Sequence, residues 1–133
     1  MKERGLVLFL SLATLTADRF LKVLVEQPYF SSHFGWPLLA FERFHNLGIA
    51  FGIPVRASIA VPVALIFLAA LAITIRGPRR IWLVPIFFGA LSNIFDRATL
   101  GVTVDYLRIL YSIINLADVL VAVGLLGLVF SKD

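Results

Sequence analysis

An uncharged run of 18 residues, Ser58 to Ile75, constrains the fold of this chain more than any other feature of its sequence. About 20 apolar residues in a helix cross the hydrocarbon core of a bilayer, so the run indicates a transmembrane helix. The whole chain agrees, because 60% of its 133 residues are hydrophobic and only 15% are charged. A soluble domain is about half apolar and a quarter charged. A soluble globular protein and a disordered chain are therefore excluded.

Four apolar runs predict an all-α membrane protein in a single integral domain, residues 1–133, with four transmembrane helices. The predicted spans are 5–25, 58–75, 81–95 and 112–130. The third span is short and ends just before Asp96, whereas the fourth contains Asp118 about two turns from its start. The start of the chain, with Ala17 at a small-residue site, also fits a cleaved signal peptide. Because three more spans follow, an uncleaved first helix is favoured.

Basic residues beside the helix ends predict the orientation of the chain. The two termini and the 76–80 turn contain Lys2, Arg4, Arg76, Arg79, Arg80 and Lys132. Lysine and arginine close to span ends mark the cytoplasmic side, so we expect both termini inside and the 26–57 and 97–111 loops outside. This anchoring also explains the pI near 10, and nothing in the sequence indicates nucleic-acid binding.

The outer segment 26–57 is rich in aromatic residues. It contains Tyr29, Phe30, Phe34, Trp36, Phe41, Phe44 and Phe51. Its alternating pattern around residues 38–44 favours short strands, and aromatic residues concentrate at membrane interfaces. We therefore expect a small extracytoplasmic β-like cradle between helices 1 and 2, lying in the interface. The alternative, that these aromatics only cover helix ends, stays open.

No metal or organic cofactor is expected. The chain has no cysteine, which excludes a disulfide scaffold, a thiolate metal site and a cysteine nucleophile. His33 and His45 are isolated and lack the spacing of zinc ligands.

The presence of charged residues inside the predicted spans requires an explanation, because burying a charge in hydrocarbon costs free energy. Asp18 and Lys22 are four residues apart, so they share a helix face and can pair. A neutralised pair near the interface, with Lys22 extending outward, is the simplest interpretation.

Two aspartates carry the chemical argument. Asp96 follows Asn93 by three positions, and Asp118 follows Asn115 by three, so each helix presents an amide beside a carboxyl. Antiparallel packing can bring the two carboxyls to one depth, where they would share a proton and activate water. Alternatively, the two aspartates cap helices or pair with Arg97 and Arg108. A proton or ion path through Asp18, Asp96 and Asp118 is a further alternative.

Read in order, five motifs resemble those of the lipoprotein signal peptidases, the signal peptidase II family of bacterial membrane aspartyl proteases. They are Asp18-x-x-x-Lys22, His45-Asn-Leu-Gly-Ile-Ala-Phe51, Gly89-x-x-x-Asn93-x-x-Asp96-Arg97, Gly101-x-x-Val104-Asp105-Tyr106 and Asn115-Leu-Ala-Asp118. Each motif is weak alone, but together they cover most of the chain in the expected order.

The resemblance implies an enzyme that cleaves prolipoproteins just before a diacylglyceryl-modified cysteine, with Asp96 and Asp118 as the catalytic pair. The implied supporting residues are Asn46, Gly48, Asn93, Arg97, Asn115, Asp18, Lys22 and Asp105, the last in a motif with a structural or orienting role. The family also implies a multi-pass protein of the bacterial inner membrane, in contact with membrane lipids. Because the pair of aspartates would form within one chain, we expect a monomer. Its active site would lie toward the outer face.

The chain departs from the family pattern at a few positions. Phe88 and Ser92 stand where glycines are usual, Ile49 replaces a small residue, and Ile114 replaces a phenylalanine. We expect Phe88 and Ser92 to add bulk where helices approach closely. These departures motivate two alternatives to the enzyme: a non-catalytic protein that binds lipidated peptides, and a small ion- or proton-coupled membrane protein.

Overall fold

The computed structural model describes residues 2–30, 33–36, 38–49 and 53–131. The described chain forms the helices α1 (Lys2–Val25), α2 (Ala57–Thr74), α3 (Leu83–Leu100) and α4 (Leu116–Phe130), and a 3₁₀ helix (Pro78–Trp82) precedes α3. The strands are β1 (His33–Trp36), β2 (Leu39–Asn46), β3 (Thr103–Ile109) and β4 (Ser112–Ile114). The bounds predicted for the first two helices agree with α1 and α2 to within a few residues.

Two stretches of the described chain are long and apolar enough to cross a membrane. They are Ala57–Thr74, with a mean hydropathy of 2.4, and Pro78–Leu100, with a mean hydropathy of 1.2. The apolar helix Leu116–Phe130 is shorter. Only a few residues of α2 are buried against the rest of the protein, as expected for a helix whose side chains face lipid on most sides.

A four-stranded antiparallel sheet lies beside the helices, in the order β1-β2-β3-β4. Strand β2 pairs with β3 in a register that sets Phe44 opposite Asp105, with an irregularity between Phe41 and Phe44. The short strands predicted in segment 26–57 are confirmed. The all-α class is wrong, because half of the strands come from the segment between α3 and α4, which was predicted to be a loop followed by a helix.

The third helix is longer than predicted. It continues past Asp96 to Leu100 and ends at Gly101, which has a φ of 78° and donates its backbone N–H to the Arg97 carbonyl. A left-handed residue of this kind is a common helix end and favours glycine. Asp96 therefore lies one turn inside α3, and its side chain projects into the protein.

The fourth helix begins later than predicted. Residues 112–114 pair with β3 as a strand, and α4 starts at Leu116. The Asn115 side chain accepts a hydrogen bond from the Asp118 backbone N–H, and the Asp118 side chain accepts one from the Asn115 backbone N–H. This reciprocal capping box puts Asp118 in the first turn of α4 instead of two turns inside it.

The two hairpin ends expose large apolar side chains. Trp36 is 81% exposed and Tyr111 is 93% exposed, and the Leu110 N–H bonds to the Leu38 carbonyl, which joins the two ends. This surface fits the predicted contact with the membrane interface, which stays a prediction. Phe51 lies outside the described residues, and the side chain of Phe34 is not described.

Helices α3 and α4 pack closely because α3 has no side chain at Gly89. A Cβ atom added there would collide with the carbonyl oxygen of Ala117 and approach Val121 to 2.9 Å. The expected crowding at Phe88 and Ser92 does not occur at this contact, since the close approach is made by the glycine between them.

Replacing Gly89 by alanine is expected to lower the free energy of unfolding by about 1–3 kcal/mol, because overpacking forces the helices apart. Thermal unfolding in detergent measures this change. Gly5→Ala is the matched control, since a Cβ at Gly5 meets nothing within 4 Å. Equal stability of the two variants would contradict the close contact.

Candidate active site

A buried lysine organises the contact between α1 and α3. The Lys22 ammonium lies 2.7 Å from Asp96 Oδ2 and 3.2 Å from Asp18 Oδ2, and it donates to Asn93 Oδ1 at 2.9 Å. Its side chain is only 2% exposed. The predicted pairing of Asp18 with Lys22 is confirmed, but the outward direction of Lys22 is wrong, because the nearby carboxylates hold the ammonium inside the protein.

Asp96 is bound by positive groups on both of its oxygens. In addition to Lys22, Arg19 Nη1 lies 2.5 Å from Asp96 Oδ1, and the Val104 backbone N–H donates to Oδ2 at 3.3 Å. The Arg19 guanidinium also lies 4.7 Å from the centre of the Phe95 ring. The Asp96 side chain is 1% exposed, so this carboxylate is fully enclosed.

Asp18 connects α1 to three other elements. It accepts hydrogen bonds from Ser92 Oγ at 2.6 Å, from the Tyr106 hydroxyl at 2.8 Å and from the Ala117 N–H at 3.2 Å. Burial raises the pKa of Tyr106 above its usual range, so the hydroxyl stays protonated and donates to the carboxylate. Asp18 is therefore a structural tie between α1, α3, β3 and α4.

Asp105 and Asp118 are joined through the side chain of Asn115. The Asn115 amide donates to Asp105 Oδ1 at 2.6 Å, and the Asn115 carbonyl accepts the Asp118 backbone N–H at 2.9 Å. The position of Asn115 between β4 and α4 makes this possible, since its backbone starts the helix while its side chain reaches β3. One asparagine thus fixes two carboxyl groups from different elements.

Two further asparagines complete the arrangement. Asn93 donates its amide to Asp118 Oδ1 at 2.9 Å, and Asn46 donates its amide to Asp105 Oδ2 at 2.9 Å. The three amide hydrogen bonds leave room for a ligand, because each carboxylate oxygen can accept more than one hydrogen bond.

The segment after β2 is also fixed at this site. The side-chain oxygen of Asn46 accepts a hydrogen bond from the Gly48 backbone N–H at 2.8 Å. Arg97 Nη2 donates to the backbone carbonyl of Gly48 at 3.0 Å. Gly48 is buried, and it forms an isolated bridge with Pro54. Arg97 therefore fixes the backbone at Gly48, at the edge of the cavity that the aspartates line.

Burial raises the pKa of Asp105 to about 6, and the negative charge of Asp118 acts in the same direction. The hydrogen bonds from Asn46 and Asn115 and the charge of Lys22 oppose the rise. A carboxyl with such a pKa exchanges its proton near neutral pH, which suits acid–base chemistry.

A cavity of about 1110 Å³ opens onto this pair of aspartates. Its polar lining includes Asp105, Asp118, Asn46, Asn93 and Arg97. Its apolar lining includes Ile49, Ala64, Ala90, Ile94, Val121 and Leu125. Asp96 is not part of the lining. The cavity can thus accept a molecule with a polar group beside the aspartates and an apolar portion between the helices.

The alternative pairing of the two aspartates with Arg97 and Arg108 is wrong. Arg108 forms two hydrogen bonds of 2.6 Å to Glu42, and Arg97 donates to a backbone carbonyl. Capping is correct in part, because Asp118 caps α4 as well as lining the cavity. In the described parts of the chain, no group of three or more His, Cys, Asp or Glu side chains is placed to hold a metal ion.

Sequence reasoning missed three residues of the polar network. Arg19, Tyr106 and Ser92 all bind buried aspartates, and none was assigned a role. Arg19 and Tyr106 each follow an aspartate of a motif directly, which was the available signal. Ser92, noted only as a departure, replaces a glycine with a hydroxyl that bonds to Asp18.

Comparison with known proteins decides the family. A sequence model of the family described as signal peptidase (SPase) II matches residues 10–132, which is nearly the whole chain. The chain belongs to the signal peptidase II family. It is therefore a peptidase, and the resemblance of its motifs to this family is confirmed.

Curated relatives and solved structures agree with signal peptidase II. The lipoprotein signal peptidase of Desulfitobacterium hafniense (strain DSM 10664 / DCB-2) is 36% identical over 125 residues, covering 82% of each protein. That of Mesorhizobium japonicum (strain LMG 29417 / CECT 9101 / MAFF 303099) is 31% identical over 138 residues, covering 92% of this chain and 82% of the relative.

The fold resembles two bacterial membrane enzyme structures determined by the in meso method at 2.3 and 1.9 Å resolution. Both comparisons have a TM-score of 0.75 and 21% sequence identity. Each alignment covers 94% of this chain, and it covers 85% of the first structure's chain and 90% of the second's. This likeness establishes a membrane enzyme fold for this signal peptidase II.

Replacing Lys22 by methionine is expected to lower the free energy of unfolding by about 3–5 kcal/mol, because Asp18 and Asp96 lose their buried partner. Thermal unfolding in detergent again gives the measurement. Lys2→Met, at the exposed start of the same helix, is the control and should change stability little. A Lys22→Met variant as stable as the control would refute the role of this cluster.

Proposed function

We propose that this signal peptidase II removes signal peptides from diacylglyceryl-modified prolipoproteins with water activated by Asp105 and Asp118. The observation that carries the proposal is that these two carboxyls line one cavity and both accept hydrogen bonds from Asn115, Asp105 from its side-chain amide and Asp118 from its backbone N–H. The raised pKa of Asp105 supports an aspartic mechanism, since a shared proton requires one carboxyl to stay neutral.

Asp96 is a positioning residue in this proposal, although the sequence motifs predict it to be catalytic. Its oxygens are bound to Lys22, Arg19 and a backbone N–H. A carboxylate whose oxygens are bound by two cations and a backbone N–H has little remaining capacity to bind water. Asp105 meets the requirements better, because its partners are neutral amides.

The reaction uses the pair as both acid and base. The ionised carboxyl takes a proton from water, and the resulting hydroxide forms a bond to the carbonyl carbon of the scissile peptide. The neutral carboxyl donates a hydrogen bond to the carbonyl oxygen, which gains negative charge. The C–N bond then breaks, and a proton from the pair goes to the nitrogen of the modified cysteine.

Substrate recognition follows from the two linings of the cavity. The peptide would lie beside the aspartates, and the diacylglyceryl group would extend along the apolar lining from α2, α3 and α4. A lipid-modified substrate partitions into the bilayer, so the enzyme meets it in two dimensions. Gly48, which Arg97 holds through its backbone carbonyl, would contact the peptide at the edge of the cavity.

The proposed topology has four spans, with both termini in the cytoplasm and the sheet at the outer face of a bacterial inner membrane. The basic residues beside the helix ends support this orientation. The site is built within one chain, so we propose that the enzyme acts as a monomer, as a single integral domain over residues 1–133.

Asp105→Asn and Asp118→Asn are each expected to lower the rate of cleavage by roughly 10²- to 10⁴-fold, because amides cannot transfer the proton. The assay is a gel-shift assay with a lipidated prolipoprotein and its unmodified form. Asp96→Asn is the comparison, and its loss of activity per folded molecule should be less than about tenfold, since it acts through the fold.

The comparison separates the two possible pairs. Loss of cleavage in folded Asp96→Asn, with normal cleavage in Asp105→Asn, would establish the pair predicted by the sequence motifs. No cleavage of the lipidated substrate by the folded wild-type protein would refute the enzymatic proposal as a whole.

The pH profile of cleavage is expected to fall on the alkaline side, above about pH 6, as the shared proton is lost. The reason is that burial raises the pKa of Asp105 to about 6, and the apparent values belong to the pair. Asn46→Ala removes a hydrogen bond that lowers this pKa, so it should move the alkaline limb to higher pH.

His45→Gln is the control for this profile, because histidine side chains titrate in the same pH range. It neighbours Asn46, contacts Glu26 and lines the same cavity. An alkaline limb that moves with His45→Gln but not with Asn46→Ala would contradict the assignment to Asp105.

A further inference from the structure

A second groove lies at the other end of the helices from the sheet. It has a volume of about 630 Å³ and is bounded by the first turns of α1, the end of α2, the 3₁₀ helix and the start of α3. The residues that line it are Arg4, Leu8, Ala72, Gly77, Pro78, Arg80, Ile81, Leu83, Val84, Phe87 and Phe88. None of them belongs to the proposed catalytic cavity.

Two arginines from different elements line this groove. Arg4 belongs to α1 and Arg80 to the 3₁₀ helix, and both are exposed. Within residues 2–30, 33–36, 38–49 and 53–131, neither forms an ion pair with a carboxylate, and no acidic residue is part of the lining. The groove therefore carries an uncompensated positive charge at its mouth.

The neighbouring Arg79 differs from Arg80. Its guanidinium donates to the carbonyl of Leu128 near the end of α4, so it stabilises the helix end. In this basic turn, Arg79 therefore has a structural role, whereas Arg80 lines the groove.

Below the arginines the groove is apolar. Leu8 lies one turn of α1 beyond Arg4, and Phe88 lies about two turns beyond Ile81, which gives an apolar wall of roughly 10 Å along the helices. Phe88 stands where the family motif has a glycine, and it forms part of this wall, so one departure of the sequence has a structural consequence here.

We propose that this groove binds one anionic phospholipid, with its phosphate between Arg4 and Arg80 and the start of an acyl chain along Leu8 and Phe88. Basic pockets between transmembrane helices suit anionic headgroups, and guanidinium groups bind phosphate oxygens with two N–H donors. Because the groove combines two cations with an apolar wall at membrane depth, charge and shape both fit a lipid. The bound lipid would tie α1 to the start of α3.

The first experiment compares two lipids on the purified full-length protein in detergent. Dioleoyl phosphatidylglycerol and dioleoyl phosphatidylcholine are titrated in native mass spectrometry, which counts bound lipids. We expect one phosphatidylglycerol to bind at least fivefold more tightly than phosphatidylcholine, from the attraction of an anionic headgroup to basic residues. Equal binding of the two lipids would overturn the proposal.

Variants then locate the site. Arg4→Gln and Arg80→Gln should each weaken phosphatidylglycerol binding roughly fivefold, with circular dichroism reporting the fold. Arg76→Gln is the matched control, because Arg76 is an exposed arginine of the same basic region that does not line the groove. If Arg76→Gln weakens binding as much as Arg80→Gln, general surface attraction explains the result and the site is refuted.

Two further experiments distinguish a site for a whole lipid from a site for a free phosphate group. Ala72→Phe narrows the apolar wall without changing charge and should also weaken phosphatidylglycerol binding. Inorganic phosphate in millimolar excess should not displace the lipid. Displacement by phosphate, with no effect of Ala72→Phe, would identify a site for free phosphate and overturn the proposed lipid site.

Discussion

Lys22 brings a positive charge into the helix bundle, where the carboxylates of Asp18 and Asp96 hold it. A buried ion of either sign costs several kcal/mol unless partners surround it, so each member of this cluster requires the others. The requirement fixes how α1 packs on α3, because Lys22 and Asp18 lie on one helix and Asp96 on the other. Ser92 strengthens the same contact through its hydroxyl. The rest of the polar site is built outward from this contact.

The cluster reaches the cavity through asparagines. The Lys22 ammonium donates to the side-chain oxygen of Asn93, and the Asn93 amide donates to the Asp118 carboxyl. The Asn115 amide donates to the Asp105 carboxyl. Neutral amides fix the positions of the two cavity carboxyls without adding charge, and within the described residues neither carboxyl forms an ion pair. The protein therefore has two kinds of buried aspartate. Asp18 and Asp96 are bound to cations and stabilise the fold, whereas Asp105 and Asp118 are bound to amides and are the pair that we propose for proton transfer.

The two ends of the molecule have different surfaces. At one end, the sheet and the start of α4 surround a cavity with polar and apolar linings, which matches a lipidated peptide. At the other end, Arg79 closes α4 whereas Arg4 and Arg80 face an apolar groove. Departures from the family motifs are accommodated at both ends. Ser92 gains hydrogen bonds and Phe88 forms a groove wall, and neither disturbs the contact that Gly89 makes with α4.

The sequence by itself determined the membrane class, the bounds of α1 and α2, the pairing of Lys22 with Asp18 and the motifs of the family, because hydropathy and i,i+4 spacing are local properties. It also named Asp118 as a candidate catalytic residue, with Asn115 beside it. Only the tertiary structure decided which aspartate lies opposite Asp118. Asp96 and Asp105 both belong to the sequence motifs. Their surroundings differ because of contacts among α1, α3 and β3, and β3 pairs with β2 across about 60 residues of chain. Such long-range pairing leaves no periodic signal, which is why 103–114 was predicted as loop and helix.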